Sequence, residues 1–413
     1  MSTTDRPFSF RSIFLPVFLP TLLFSIGEGA IIPMIPIAAT SLGASLAIAG
    51  FIGGMIMIGE LVGDIPSGWV VNRVGERNAM VGAALVAVAG LVVCAAAQGP
   101  VLLTAGVFLV GLATAVFALA RHAFMTTFVP LAYRARALSS LGGTFRAGMF
   151  LGPFIAAFLI HLTGAVQVVF WIHVACCVAA AAVLLLLPDP EKTFGQVVHG
   201  TSPSSAGSAG TPESVGLFRT IWEYRGALVR MGGSAGLVGA VRAARVIILP
   251  LWAVSIGVND ASTALIIGIA GGFDFALFYA SGQIMDRFGR MWTAMPSMLG
   301  LGLGLLVLAF THQSPDAVNW FIALAMFLGL ANGIGSGLLM TLGADLAPPE
   351  NPAPFLGAFR FTGDGGSAAA PVLIAVATAI WSLPVAAAIT GVLGLIGAGT
   401  LARYIPRYVP GHR

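Results

Sequence analysis

The chain has 413 residues, of which 58% are hydrophobic and only 9% are charged. Soluble domains carry about 25% charged residues, so the composition excludes an ordinary soluble domain, and with it secreted disulfide scaffolds, disordered regulators and nucleic-acid binders. A mean hydropathy of +0.96 over the full length, with a net charge of only +4, indicates a polytopic membrane protein.

A helix needs about 20 apolar residues to cross the hydrocarbon core, because lipid offers its backbone no partner. That length predicts twelve spans, at 12–38, 44–71, 78–98, 100–128, 137–162, 165–187, 228–256, 261–285, 292–311, 317–346, 353–379 and 382–405. The first run is too long for a signal peptide and is read as span 1. Fifteen of the 20 basic residues fall in loops or at span ends on one side, including Arg6, Arg11, Arg73, Arg77, Arg287 and Arg290. That bias puts both termini in the cytoplasm, and the expected location is a bacterial-type cytoplasmic membrane.

The apolar pattern stops between residues 188 and 227, which divides the chain into an N-terminal bundle (1–187), a linker (188–227) and a C-terminal bundle (228–413). The stretch His199–Gly216 is rich in Ser, Gly, Pro and Ala, as a flexible linker would be. Leu217–Met231 mixes Phe218, Ile221 and Trp222 with Arg219, Arg225 and Arg230. It reads either as a helix lying on an anionic membrane face or as a solvated linker helix.

The two bundles resemble each other. An offset of 214 pairs Pro36 with Pro250, Gly43 with Gly257, Gly68 with Gly282, Arg73 with Arg287 and Gly75 with Gly289. An offset of 218 pairs Gly111-Leu112-Ala113 with Gly329-Leu330-Ala331. Duplicated six-helix halves are what two bundles rocking around a central site would be built from. The predicted fold is therefore all-α, with twelve transmembrane helices in two pseudo-symmetric bundles.

The loop after span 8 contains Gly282, Asp286, Arg287, Gly289 and Arg290; the loop after span 2 contains Gly68, Asn72, Arg73, Gly75, Glu76 and Arg77. Gly75 and Gly289 suit a turn that a β-carbon would not tolerate, and Gly282 suits close helix approach. Asp286 and Asp345 are candidate acidic partners for Arg, and Asp64, one turn above Gly68, stands in for the acid that Asn72 replaces. Span 5 contains Gly148 and Gly152 four residues apart, followed by Pro153; small residues at that spacing let helices approach, and the proline bends one of them.

These motifs resemble the major facilitator superfamily, whose loop motif runs Asp-Arg-x-Gly-Arg after a glycine. The segment in span 5 is similar to the Gly-x-x-x-Gly-Pro motif of its drug:proton antiporters. The resemblance implies a loop clamp that holds one conformation closed, a central cavity faced by spans 1 and 7, and a functional acid in span 1. It also implies a functional monomer, with substrate, protons and the lipid bilayer as partners and no bound cofactor. The chain departs from the family pattern at Asn72 and Glu76, at Ala156 and Ala157 (often Gly), and at Val107, where an Arg is frequent.

A charge at bilayer depth costs at least about 2.5 kcal/mol, so ionisable residues inside spans mark a paired group, a protonated group or a water-filled cavity. They are Glu28, Glu60, Arg121, Arg146, Arg242, Arg245, Asp274, Arg360 and Asp364, with Asp64 nearer the loop. Glu60 and Asp274 each precede their loop motif by twelve residues, roughly 18 Å of helix, and are expected in one cavity. The repeat pairs Glu28 with Arg242, and Arg245 lies one turn from Arg242 on the same face. Arg360 and Asp364 are spaced to neutralise each other, whereas Arg146, the counterpart of Arg360, has no acid four residues on. Glu28 is the first candidate for proton coupling, with Glu60 or Asp274 second; the alternatives for Glu28 are a fixed ion pair with Arg242 or Arg245, or a substrate contact. Cys94, Cys176, Cys177, His122, His161 and His173 show neither disulfide nor metal spacing.

The resulting expectation is a proton-coupled exporter of amphipathic small molecules rather than an enzyme. The alternatives are a metabolite symporter, a lipid or lysolipid transporter, and a membrane sensor that transports nothing.

Overall fold

The computed structural model describes residues 17–129, 131–186, 222–348 and 352–409. Twelve of its helices are long and apolar enough to cross a membrane. In the first half these are α1 (Leu19–Ser41), α2 (Leu46–Val74), α3 (Glu76–Ala95), α4 (Pro100–Thr127), α5 (Arg136–Thr163) and α6 (Val168–Leu186). The second half comprises α7 (Arg225–Ser255), α8 (Asp260–Phe288), α9 (Met291–Thr311), α10 (Ala317–Leu346), α11 (Pro354–Ile380) and α12 (Leu383–Tyr408). Each predicted span has its helix.

Helix ends follow local chemistry. Asn259 and Ser382 cap α8 and α12 by accepting from Ser262 N at 2.8 Å and Val385 N at 3.4 Å, which satisfies amides the helix leaves free. Gly75 and Gly289 have φ of +82° and +94°, a region that L side chains avoid, and each turns the chain sharply between two helices. The repeat is visible here, because Gly43 and Gly257 also share positive φ, at +86° and +77°.

Packing repeats too. In the first half α1 packs on α5 and α6, α2 on α4, and α3 on α4 and α6; α7 packs likewise on α11 and α12, α8 on α10, and α9 on α10 and α12. Gly111 presses on the backbone of Ile56 and Gly329 on that of Ala270. The matched Gly-Leu-Ala segments thus mark the α4–α2 crossing and its counterpart α10–α8, where only a missing side chain lets backbones meet.

The halves touch along α5–α8 and α2–α11. At the end away from the basic loops the contact is tight: Gly50 and Gly54 of α2 pack on Ile247 and Leu251 of α7 and on Pro371 and Ile374 of α11. At the other end α2 and α11 part around a cavity of about 960 Å³, walled by Ile65, Phe361 and the start of α7. The bundle is closed on one side and open on the side that carries the loop motifs.

The start of α7 does not fall at 228: after the helical Trp222 and Glu223 and a turn at Tyr224, the chain runs from Arg225 through a π-type turn, Leu228–Gly232, into α7. Residues 217–221, like the linker from 187 on, lie outside the described residues. Nor does Gly282 mark a close approach here: a Cβ there would meet open space, as it would at Gly68, since both glycines sit near the open end.

Candidate functional site

A cavity of about 380 Å³ lies between the halves, and its charged lining comes from α1, α2, α4, α7 and α11. Glu28, Glu60, Asp64 and Asp364 supply carboxylates to it; Arg121, Arg242, Arg245 and Arg360 supply guanidiniums. Phe145, Val246 and Arg245 separate it from a second compartment of about 250 Å³, lined by Arg146, Phe150, Pro153, Asp274 and Phe275. Asp64, Arg360 and Asp364 also wall the large cavity at the open end. The two cavities therefore share a wall at α2 and α11.

Glu28 is 3% exposed, and its Oε2 has no hydrogen-bond partner. The surrounding helices fix its backbone. Gly148 of α5 meets the Ser25 side chain, and Gly152 meets the backbone of Ile26, Gly29 and Ala30. On the other side Gly27 packs on the ring of His173 from α6. The glycine pair of α5 thus clamps the turn of α1 that presents Glu28, and any Cβ at position 152 would strike backbone. The positive charge that bears on Glu28 is Arg121, whose guanidinium lies over the Phe145 ring at 4.6 Å from its centroid and whose Nε is unpartnered.

The pair between Glu28 and Arg242, the alternative that the repeat offers, is not formed in this arrangement. Arg242 instead donates to the carbonyl of Gly335, in the turn where α10 breaks between Ile334 and Leu338. That break was not expected from sequence, and the carbonyl at it serves Arg242 as well as Leu338 N, which donates to it at 3.1 Å.

Asp274 sits at the centre of a different cluster. It accepts from Asn332 Nδ2 at 2.6 Å, Ser336 Oγ at 3.2 Å and Arg146 Nη1 at 3.3 Å, and pairs with Arg245 at 3.6 Å. Arg146 belongs to α5 and Asp274 to α8, so this ion pair joins the halves; the Arg146 guanidinium also stacks on Phe278 at 4.6 Å. Sequence reasoning left Arg146 without a partner, yet the repeat held the signal. The offset of 214 carries Glu60 to Asp274 and Arg146 to Arg360, so an Arg146–Asp274 contact implies an equivalent Arg360–Glu60 contact across α11 and α2. In the open arrangement Arg360 binds Asp364 at 3.2 Å instead, while its charge and that of Asp364 still reach Glu60.

The loop motifs pair within their own halves. Arg77 donates to the carbonyls of Leu184 and Leu185 at 2.8 and 3.1 Å, tying its loop to the end of α6. Glu76 accepts from Thr127 at 2.8 Å. Arg290 grips Asp345 of α10 through two bonds, at 2.8 and 3.1 Å, and these raise the pKa of its guanidinium further. Arg73 and Arg287 stack on Trp69 and Phe288, whereas Asn72 and Asp286 are exposed at the open end.

The sequence signature of the Major Facilitator Superfamily matches residues 17–371 and, in a second alignment, 231–413. An uncharacterized MFS-type transporter of Mycobacterium tuberculosis is 24% identical over 316 residues, covering 71% of this chain. The match takes in only 45% of that relative's length. Among solved structures, the xylose transporter XylE from E. coli superposes with a TM-score of 0.70 at 15% identity, covering 96% of this chain and 99% of that one. A peptide transporter, POT, in complex with sulfate gives 0.74 at 15% identity, covering 100% of this chain and 97% of that one. The nucleoside transporter NupG gives 0.70 at 14%, with 94% and 100% covered. At such identities the three structures share a fold with this chain and speak to nothing finer.

Proposed function

Because this chain belongs to the major facilitator superfamily, we propose that it exports amphipathic small molecules in exchange for protons, by alternating access across a bacterial cytoplasmic membrane. One observation carries the reading: the buried carboxyl of Glu28, held rigidly by α5 and α6 and lacking a partner at Oε2. An unpaired carboxylate away from water is costly and a protonated one is not, so such a group binds either a proton or the cationic end of a substrate. Competition between the two for one site is what exchange requires.

Glu60 is the second proton site on this reading, because its repeat-related arginine is engaged by Asp364. Asp274 serves as the bridge between halves, its carboxylate already used by Arg146, Asn332, Ser336 and Arg245. The glycine–proline motif of α5 positions Glu28, and the loop motifs hold the opposite conformation once α2 and α11 meet. The transporter works as a monomer, each half moving as one rigid bundle.

The test is proton movement in everted membrane vesicles holding an acid-inside gradient, challenged with lipophilic cations, neutral amphiphiles and zwitterions. Collapse of the gradient by some compounds, abolished in Glu28→Gln, is the expected result. Collapse that survives the substitution removes Glu28 from the proton path, and a gradient that no compound disturbs removes exchange altogether. The large apolar cavity between α2 and α11 favours a second reading, lipid or lysolipid transport, which lysolipid uptake by the same vesicles would reveal.

A further inference from the structure

The charges around the central cavity balance in number but are segregated in space. Toward α1, α2 and α4 stand Glu28, Glu60 and Asp64 against Arg121, once the Arg360–Asp364 pair is set aside as neutral. Toward α5, α7 and α8 stand Arg146, Arg242 and Arg245 against Asp274. Each side therefore holds three charges of one sign and one of the other, leaving two acids uncompensated on one wall and two arginines on the facing wall.

Both sides hold unmet hydrogen-bond capacity. Glu28 Oε2 lacks a partner on the acidic side, as does the Nε of Arg121 there, and the Nε atoms of Arg242 and Arg245 lack one on the basic side. Asp274 cannot serve all three arginines, because Asn332 and Ser336 already occupy its oxygens together with Arg146 and Arg245. Arg cannot be deprotonated in practice, so the basic wall stays charged whatever the acids do. Beyond Arg245 the second compartment is aromatic: Phe150 stacks on Phe275 at 5.7 Å and meets Phe154 edge-on at 5.1 Å.

We infer that the site takes a zwitterion with an aromatic or branched apolar arm. Its ammonium lies among Glu28, Glu60 and Asp64, its carboxylate on Arg242 and Arg245, and its arm against Phe145, Phe150 and Phe275. A lone cation leaves the basic wall unanswered, and a lone anion leaves the acidic one. The inference rests on the exchange reading for one step, the competition of the ammonium with the proton at Glu28. Its charge geometry is independent of transport direction.

Binding to the purified full chain in lipid nanodiscs tests it, with no gradient present. The probes are phenylalanine, 3-amino-3-phenylpropanoate and 4-amino-3-phenylbutanoate, whose charges stand successively farther apart. Each is compared with its methyl ester, which is only a cation, and its N-acetyl form, which is only an anion. At least one zwitterion is expected to bind about tenfold or more tightly than both of its blocked forms, as loss of a charge-assisted contact would give. Glu60→Gln should narrow the gap to the N-acetyl form, and Arg245→Gln the gap to the ester. An ester that binds as well as its parent overturns the inference in favour of a cation site, and an equal N-acetyl form in favour of an anion site. Absence of zwitterion binding at millimolar concentration for all three spacings also overturns it. Zwitterion binding with no effect on the vesicle gradient sinks the exchange reading instead, and gradient collapse by lipophilic cations without zwitterion binding sinks only this one.

Discussion

Asp274 and Glu28 are both membrane-embedded acids, yet their surroundings predict opposite responses to neutralisation. Asp274 accepts three hydrogen bonds, one of them from Arg146, and pairs also with Arg245, so Asp274→Asn leaves Arg146 and Arg245 without their acid. Breaking a partly buried pair in this way costs up to about 3 kcal/mol, the figure for a fully buried one, and the purified variant should unfold at a lower temperature. Adding Arg146→Met should recover part of the loss, and a strictly additive double variant would show that the pair carries no coupling. Glu28 has no such partner, so Glu28→Gln should cost about 1 kcal/mol or less in the same assay while proton coupling is lost. The existence of these charges was legible from sequence, because an ion in an apolar run stands out. Their pairing was not. Arg146 and Asp274 lie 128 positions apart, and Arg242 finds a carbonyl at a helix break that residue types alone do not announce.

Among the elements, α5 shows what small residues achieve. Gly152 faces the backbone of α1 at Ile26, Gly29 and Ala30, so Gly152→Val must separate the two helices and should cost roughly 3 kcal/mol or more, seen as loss of folded protein on extraction. Gly282 meets nothing within 4 Å. Gly282→Leu should therefore leave the melting temperature unchanged yet slow transport, if α8 needs that small surface when the open end closes. A lowered melting temperature would show instead that the glycine already packs in this conformation. The helices themselves were readable to within a few residues, apart from the start of span 1, where residues 12–16 lie outside the described ones. Hydropathy sums over a whole crossing, and that sum is insensitive to a single irregular turn. For the same reason it missed the 3₁₀ turn Ile32–Met34 in α1, the break at Gly54 in α2 and the break at Gly335–Gly337 in α10, two of which bear on the cavity through Pro33 and Gly335.

For the whole molecule, the sequence showed the duplication and the two bundles but not which end is open, since one chain must encode every state of its cycle. In the arrangement described, Gly50 lies 3.4 Å from Ile374 Cγ2 through the position a Cβ would occupy, within reach of a disulfide. With Cys94, Cys176 and Cys177 replaced by Ala, Gly50→Cys with Ile374→Cys should cross-link on oxidation, stop transport and recover on reduction. Undiminished transport by the cross-linked protein would mean that α2 and α11 need not part at that end. The repeat gives the complementary contact. As the halves rock, Arg360 is expected to leave Asp364 for Glu60, reproducing across α2 and α11 the bridge that Arg146 and Asp274 make across α5 and α8.

The central claim is that a proton and the cationic end of a substrate compete for Glu28. Proton release by the purified protein in weakly buffered solution, recorded as a binding substrate is added, tests it most directly. The account predicts release of up to about one proton per bound molecule, reduced to near zero in Glu28→Gln. Unchanged release from that variant, or binding by the wild type with no proton set free, would contradict it.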